Sequence, residues 1–179
     1  TRGIRLIVDN IPGTVADGQG QISHIDLPST DRIEVMRGPF SVLYGNSSGG
    51  VIRVFTQDGG PKTEVQPYFE VGSYGQRRAG LKASGKSDEL GYVIDAGQFH
   101  TNGYRDQSAA DRRNANAKLS FMGGPDTRIT LIANNVSLKA QDPTGLTESQ
   151  LIANPKQAGT SAISQNSRKS VDQTQVGAS

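Results

Sequence analysis

Side chains able to do chemistry are sparse in this sequence. Its two imidazoles are His24, beside a polar stretch, and His100, at the end of an apolar run, and it has no cysteine. Two isolated histidines without a nearby acidic cluster make a poor metal site, which needs several ligands converging on one point. The absence of cysteine removes disulfide frameworks, thiolate metal sites and thiol nucleophiles. No Ser-His-Asp spacing, nucleophile elbow or paired-carboxylate motif stands out, and the segment from Gly45 to Gly50 lacks the Lys-Ser/Thr ending of a phosphate loop. The sequence therefore points to no enzyme and calls for no cofactor.

Composition narrows the alternatives. The 19 basic and 17 acidic residues are spread along the whole chain, which excludes the clustered basic footprint of a nucleic-acid binder. Hydrophobic residues make up 34% of the 179, against about 45–50% (glycine included) in ordinary globular domains. A conventional core would be thin. With 22 glycines, no tryptophan and abundant Asn, Gln, Ser and Thr, the chain suits turns and half-polar strands. No run of about 18 apolar residues exists to form a transmembrane helix, which says nothing against a barrel built of alternating strands. No signal-peptide pattern opens the chain at Thr1.

Two hydrophobic patterns meet near Asp58-Gly59-Gly60-Pro61. Before it lie compact apolar runs over Ile4–Val8, Ile33–Met36 and Val51–Phe55, with a helical turn predicted at Phe40–Tyr44 and a loop over Thr14–Gln21. After it the period becomes two. Val65, Pro67, Phe69 and Val71 alternate with polar neighbours, as do Ala79–Ala83, Ala115–Phe121 and Ile129–Ala133; Leu90–Phe99 and Val171–Ala178 complete about six strands. The connections alternate between short (Lys86–Glu89, Gly123–Asp126) and long (Thr101–Arg113, Lys139–Lys169), the order of a membrane barrel; Gly72–Gly75 is the exception, an outer loop that is short. No amphipathic helix is long enough to cover the apolar faces in water, as a soluble sheet would require.

Residues 32–56 read Arg-Ile-Glu-Val-Met-Arg-Gly-Pro-Phe-Ser-Val-Leu-Tyr-Gly-Asn-Ser-Ser-Gly-Gly-Val-Ile-Arg-Val-Phe-Thr. This resembles the plug signature of TonB-dependent outer-membrane receptors: an Ile-Glu-Val strand, an Arg-Gly-Pro turn, Leu-Tyr-Gly, then Gly-Gly-Val-Ile. Leu6-Ile7-Val8-Asp9-Asn10-Ile11-Pro12 resembles the family's upstream strand and turn. Asp142-Pro143-Thr144-Gly145-Leu146-Thr147, Asn154-Pro155 and Arg168-Lys169 are similar to a branch of receptors for pyrroloquinoline quinone.

The resemblance implies a mainly β fold: residues 1–60 as the C-terminal half of a mixed α/β plug, and 61–179 as the first antiparallel strands and loops of an incomplete transmembrane barrel. It implies active transport of a scarce nutrient across the bacterial outer membrane, by default a ferric siderophore and alternatively pyrroloquinoline quinone. The partner would be TonB, acting through an N-terminal segment absent here. From a different class, the alternative is a passive porin or structural β-protein without a ligand. Plug loop residues Asp17, Gln19 and Gln21, with Tyr104 and Arg105 of the first long loop, are the substrate-facing candidates; they serve equally as ordinary solvated loop surface. Glu34, Arg37, Gly38, Tyr44, Gly45, Gly49 and Gly50 are the expected plug–barrel contacts. Six strands cannot close a barrel of about 22, so the 179 residues are expected to be part of a larger chain or to self-associate through their sheet edges.

Overall fold

The computed structural model describes residues 3–13, 25–45, 47–124 and 126–179. Two sheets account for nearly all of the regular structure. The first contains β1 (Ile4–Val8), β2 (Ile11–Pro12), β3 (Thr30–Arg37) and β4 (Gly50–Thr56) in the order β2-β1-β4-β3. β4 runs parallel to β1 and antiparallel to β3, so the three compact apolar runs make one mixed sheet. Val51 and Val54 of the central strand, with Leu6 and Ile7 of β1, are buried. β1 turns into β2 through Asp9 and Asn10, both left-handed at φ 46° and 67°. Positive φ at both central positions suits a tight hairpin, and Asp and Asn are the non-glycine residues that adopt it most readily. Gly50, at φ 139°, lies so close to the Met36 carbonyl that a Cβ there would collide with it. The predicted helical turn is α1 (Ser41–Tyr44).

The second sheet is an antiparallel meander of β5 (Glu64–Val71), β6 (Arg77–Ser87), β7 (Leu90–Thr101), β8 (Ala110–Gly124), β9 (Thr127–Gln141) and β10 (Arg168–Ala178), each paired with its sequence neighbours. It does not close on itself. Neighbouring alternating runs pair antiparallel: Val65 faces Ala83, and Leu119 faces Leu131. Two strands extend beyond their expected ends, β9 through Gln141 and β8 back to Ala110. The apolar alternation stops earlier, but the backbone ladder needs only N–H and C=O groups and continues through polar residues. The segment between β9 and β10 holds two short helices, α2 (Glu148–Ala153) and α3 (Thr160–Ser164). α2 begins with a capping box: Thr147 Oγ1 accepts from the Gln150 amide at 3.3 Å, and Gln150 Oε1 accepts from the Thr147 amide at 2.9 Å.

Register sorts the meander's side chains onto two faces. Val65, Ala83, Ile94, Ala117, Ala133 and Val176 form one cross-strand row. Val65, Phe69, Leu81, Leu119, Phe121 and Leu131 all lie on this outward face, with exposures from 37% (Leu119) to 71% (Phe69). A soluble sandwich would have buried them together. The opposite face carries the row Gln66, Lys82, Asp95, Asn116, Asn134 and Gln175. An apolar face toward the outside and a polar face toward the inside is the pattern of a barrel wall in lipid.

Nitroxide labels at Leu131, Ile132, Ala133 and Asn134, placed one at a time in the full-length protein in a bilayer, should alternate in their collisions with lipid-dissolved oxygen. Positions 131 and 133 should be accessible and 132 and 134 shielded. A flat profile across the four would contradict this orientation.

Candidate functional site

The polar face of the meander meets the four-stranded sheet through long side chains that cross between them. Lys118, on β8, is 9% exposed. Its ammonium donates to the Thr56 carbonyl at 3.0 Å and to Asp9 Oδ1 at 3.4 Å, and lies 3.0 Å from Asp58 Oδ1. Three acceptors thus meet the three protons of the ammonium. Asp9 is buried in its hairpin and also accepts the Thr56 amide at 3.0 Å and the Thr56 hydroxyl. Asp58 is further engaged by Arg128, which also donates to Ser120 Oγ at 3.1 Å. Burial disfavours the charged Asp58 carboxylate, but the hydrogen bonds and charges of Arg128 and Lys118 outweigh it and hold the group below the ordinary carboxylate range.

Neighbouring rows add to this seam. Lys82 donates to Gln57 Oε1 at 2.8 Å and to the Pro28 carbonyl at 3.2 Å. Asn114 donates to Asp26 Oδ1 at 3.0 Å and reaches Asp95 Oδ1 at 3.4 Å, an oxygen that also accepts from the Tyr68 hydroxyl at 3.2 Å. Asp26 Oδ2 accepts from the Ser29 amide at 3.1 Å, which fixes the turn leading into β3. Gln175 of β10 donates to the Pro12 carbonyl at 2.7 Å. Between the sheets, Val8 and Val54 face Val93 and Ile132 around a cavity of about 30 Å³.

A second cluster forms at the long-loop end of the meander. Arg105 donates through Nε to the Gln157 carbonyl at 2.9 Å, through Nη1 to Thr144 at 2.8 Å and through Nη2 to Pro143 at 3.1 Å. The guanidinium fork therefore ties the β7–β8 loop to the long β9–β10 loop. Tyr104 stands edge-on to Tyr74 of the β5–β6 turn, with ring centroids 5.3 Å apart, and Lys156 lies 5.9 Å above its ring. Three connections are thus fastened into one aromatic and cationic surface. Among the described residues no group of three or more His, Asp or Glu converges as a metal site. These arrangements can hold and bind.

Residues 1–51 match the family described as the TonB-dependent Receptor Plug Domain. That N-terminal segment belongs to the plug-domain family. It is 34% identical over 84 residues to the ferric aerobactin receptor of Klebsiella pneumoniae, covering 46% of this chain and 11% of that one. It is 25% identical over 122 residues to the metal-pseudopaline receptor CntO of Pseudomonas aeruginosa, covering 66% and 17%. The unliganded ferric citrate transporter FecA superposes with a TM-score of 0.72 over 88% of this chain and 26% of its own, at 22% identity. The chain thus spans a small fraction of the relatives it matches. The proteins it matches are named as receptors and transporters, one of them a receptor of the outer membrane.

Asp17, Gln19 and Gln21 lie outside the described residues, as does His24. Tyr104 and Arg105 come together in the loop cluster just described. Glu34 pairs with Arg32 at 3.0 Å and Arg53 at 3.6 Å within the plug sheet. Arg37 is exposed, Gly38 and Gly45 take left-handed φ of 119° and 74°, and Tyr44 closes α1. The close approaches at Gly49 and Gly50 are to Gly3 and Met36 of the plug itself. Among the described residues, the groups that bridge to these six strands are chiefly Asp9, Asp26, Gln57 and Asp58 from the plug side and Lys82, Asn114 and Lys118 from the strands. One signal marks them in sequence: an ionisable residue in mid-strand of a membrane barrel is costly unless it has a partner inside.

Lys118→Met in the full-length receptor leaves the buried Asp9 without its cation, a loss on the order of 3–5 kcal/mol for a broken buried pair. Amide hydrogen exchange in β1 and β4 should quicken accordingly, while Lys86→Met, at an exposed site, should leave it unchanged. Equal exchange in both variants would remove Lys118 from the seam.

The Asp58 contact carries its own pH signature. A carboxyl whose folded pKa is depressed stabilises fully above its unfolded value and loses that contribution as pH falls through the folded one. Plug protection should therefore persist down to the ordinary carboxylate range near pH 4 and decline only below it. Asp58→Asn should flatten that acid limb; an unchanged limb in the variant would assign it to other carboxyls.

Proposed function

We propose that this chain comes from a receptor that imports a metal chelate, a ferric siderophore by default, across the outer membrane under TonB control. The observation that carries this reading is the Lys118 seam, which seats a plug sheet on the strand face that lines a barrel's interior. A plugged barrel has no open passage, which favours energised uptake over a passive pore. The relatives are named for ferric aerobactin and metal-pseudopaline, which favours a chelate over pyrroloquinoline quinone. On this reading residues 1–60 are the C-terminal half of the plug and 61–179 the first strands and loops of the barrel, with the turn residues Asp58–Pro61 in support. TonB would act through a segment outside this chain. Ligand would lie between the plug loop bearing Asp17, Gln19 and Gln21 and the outer loops, with Tyr104 presenting its ring and Arg105 holding the loops in shape.

Uptake of radiolabelled ferric chelate by cells carrying the full-length receptor should fall to background when TonB is deleted. Undiminished uptake would exclude the energised reading. Arg105→Ala frees three loop carbonyls and should weaken chelate binding on the order of tenfold, an ordinary cost for losing an anchoring arginine. Unaltered affinity would place the ligand away from this loop cluster.

A further inference from the structure

Where the plug turn meets the middle of β7, two acids face each other without a cation between them. Asp26, in the turn leading into β3, and Asp95, on the polar face of β7, are 5% and 1% exposed. Their carboxyl groups lie within hydrogen-bonding reach of each other. Asn114 Nδ2 touches both, at 3.0 Å from Asp26 Oδ1 and 3.4 Å from Asp95 Oδ1, and an amide nitrogen has two protons to give. The other donors are neutral as well: the Ser29 amide to Asp26 Oδ2 at 3.1 Å, and the Tyr68 hydroxyl to Asp95 Oδ1 at 3.2 Å. Asp95 Oδ2 is buried and has no hydrogen-bond partner.

Among the described residues, no ion pair reaches either acid. Lys82 of β6 stands directly opposite Asp95 in the register, yet its ammonium turns to Gln57 Oε1 and the Pro28 carbonyl. Lys118 of β8 is held by Asp9, Thr56 and Asp58. Arg78 of β6 pairs with Glu70 of β5 at 3.9 Å and lies 5.3 Å from the centre of the Tyr68 ring. On the plug side Arg32 is engaged by Asp31 and Glu34. Arg112, two residues from Asn114 on β8, stands opposite Phe99 and bonds to neither acid.

Two buried carboxylates in contact repel each other and have lost their hydration, and both costs fall when one proton is placed between them. A protonated carboxyl is also a donor, which gives the unpartnered Asp95 Oδ2 a bond to make. We propose that Asp26 and Asp95 share one proton, and that this proton is a pH-operated latch between the plug turn and the barrel wall. Its uptake turns a repulsive contact into an O–H···O bond, and its loss to water leaves two carboxylates side by side. The sign follows from the proton count. Two carboxyls separated in water take up protons only near pH 4, so the latch is fully closed at that pH and its contribution is lost as pH rises through the range in which the pair gives up its proton. The Asp58 contact runs the other way, so the plug is held most firmly in mild acid.

The test follows amide hydrogen exchange at Ser29 and Thr30 in the full-length receptor, from alkaline pH down to about pH 5, corrected for the intrinsic pH dependence of exchange. Protection should rise on acidification by up to about tenfold per pH unit, the limit for uptake of one proton. Asp95→Asn and Asp26→Asn each put an amide in place of the protonated acid and should abolish the rise. His24→Gln removes the titratable residue two positions before Asp26 and should keep it. Exchanging sodium for potassium or choline should also leave it unchanged. A rise that persists in both asparagine variants, a rise lost in His24→Gln, a flat wild-type profile, or a rise that follows the cation supplied would each overturn the latch. The latch rests on the seam between plug and strands, and β1 and β4 report on that separately. If they stay protected while the turn shows no pH response, the latch alone falls; if they too exchange freely at every pH, the seam falls with it.

Discussion

A lysine drawn into the middle of a barrel strand must find its charge an answer inside, and Lys118 sets the arrangement of this part of the receptor. Its three acceptors come from three places on the plug side: the Asp9 hairpin, the end of β4 at Thr56, and the linker at Asp58. Moving any one of them strands the ammonium in a buried site. The plug sheet can therefore sit on the strands in only one register. These polar bonds are flanked by buried Val54, Val93 and Ile132, so the join combines specific polar pairing with apolar packing.

The meander obeys a different constraint. Its outward face needs lipid to cover Phe69, Leu81 and Leu131, while its inward face needs the plug to satisfy Lys82 and Lys118. Neither face is complete in water. Alternation at period two gives both faces to one strand, so a single strand such as β8 carries Leu119 to the lipid and Lys118 to the plug. Loop length then separates the ends, and the fastened long loops around Arg105 form the rim where ligand would arrive.

The strands were legible in the sequence because alternation is local, and the plug sheet because its apolar runs and turn residues are. The limits of β8 and β9 were less so: the apolar signal ends with the lipid-facing rows, whereas the ladder runs on through Ser137 and Lys139. α2 was missed inside a polar stretch, although Thr147 and Gln150 spell its capping box. A mid-strand lysine is visible in the sequence, but the partner it meets across the seam is not, for a geometric reason. Asp9 and Lys118 are 109 positions apart, and nothing short of the folded register reveals that they face each other. Bridging residues such as Gln57 and Asn114 carry no motif that would single them out.

The central claim is that the plug rests on the inward face of these strands, and a cysteine pair tests it most directly. Asp26→Cys with Asn114→Cys, in the full-length receptor, replaces two side chains whose polar atoms lie 3.0 Å apart. Mild oxidation or a short thiol cross-linker should join them in high yield. The control pair Asp26→Cys with Ala115→Cys, one residue along and on the outward face, should stay unlinked. Cross-linking of the control pair, or failure of the Asn114 pair in folded receptor, would contradict the account.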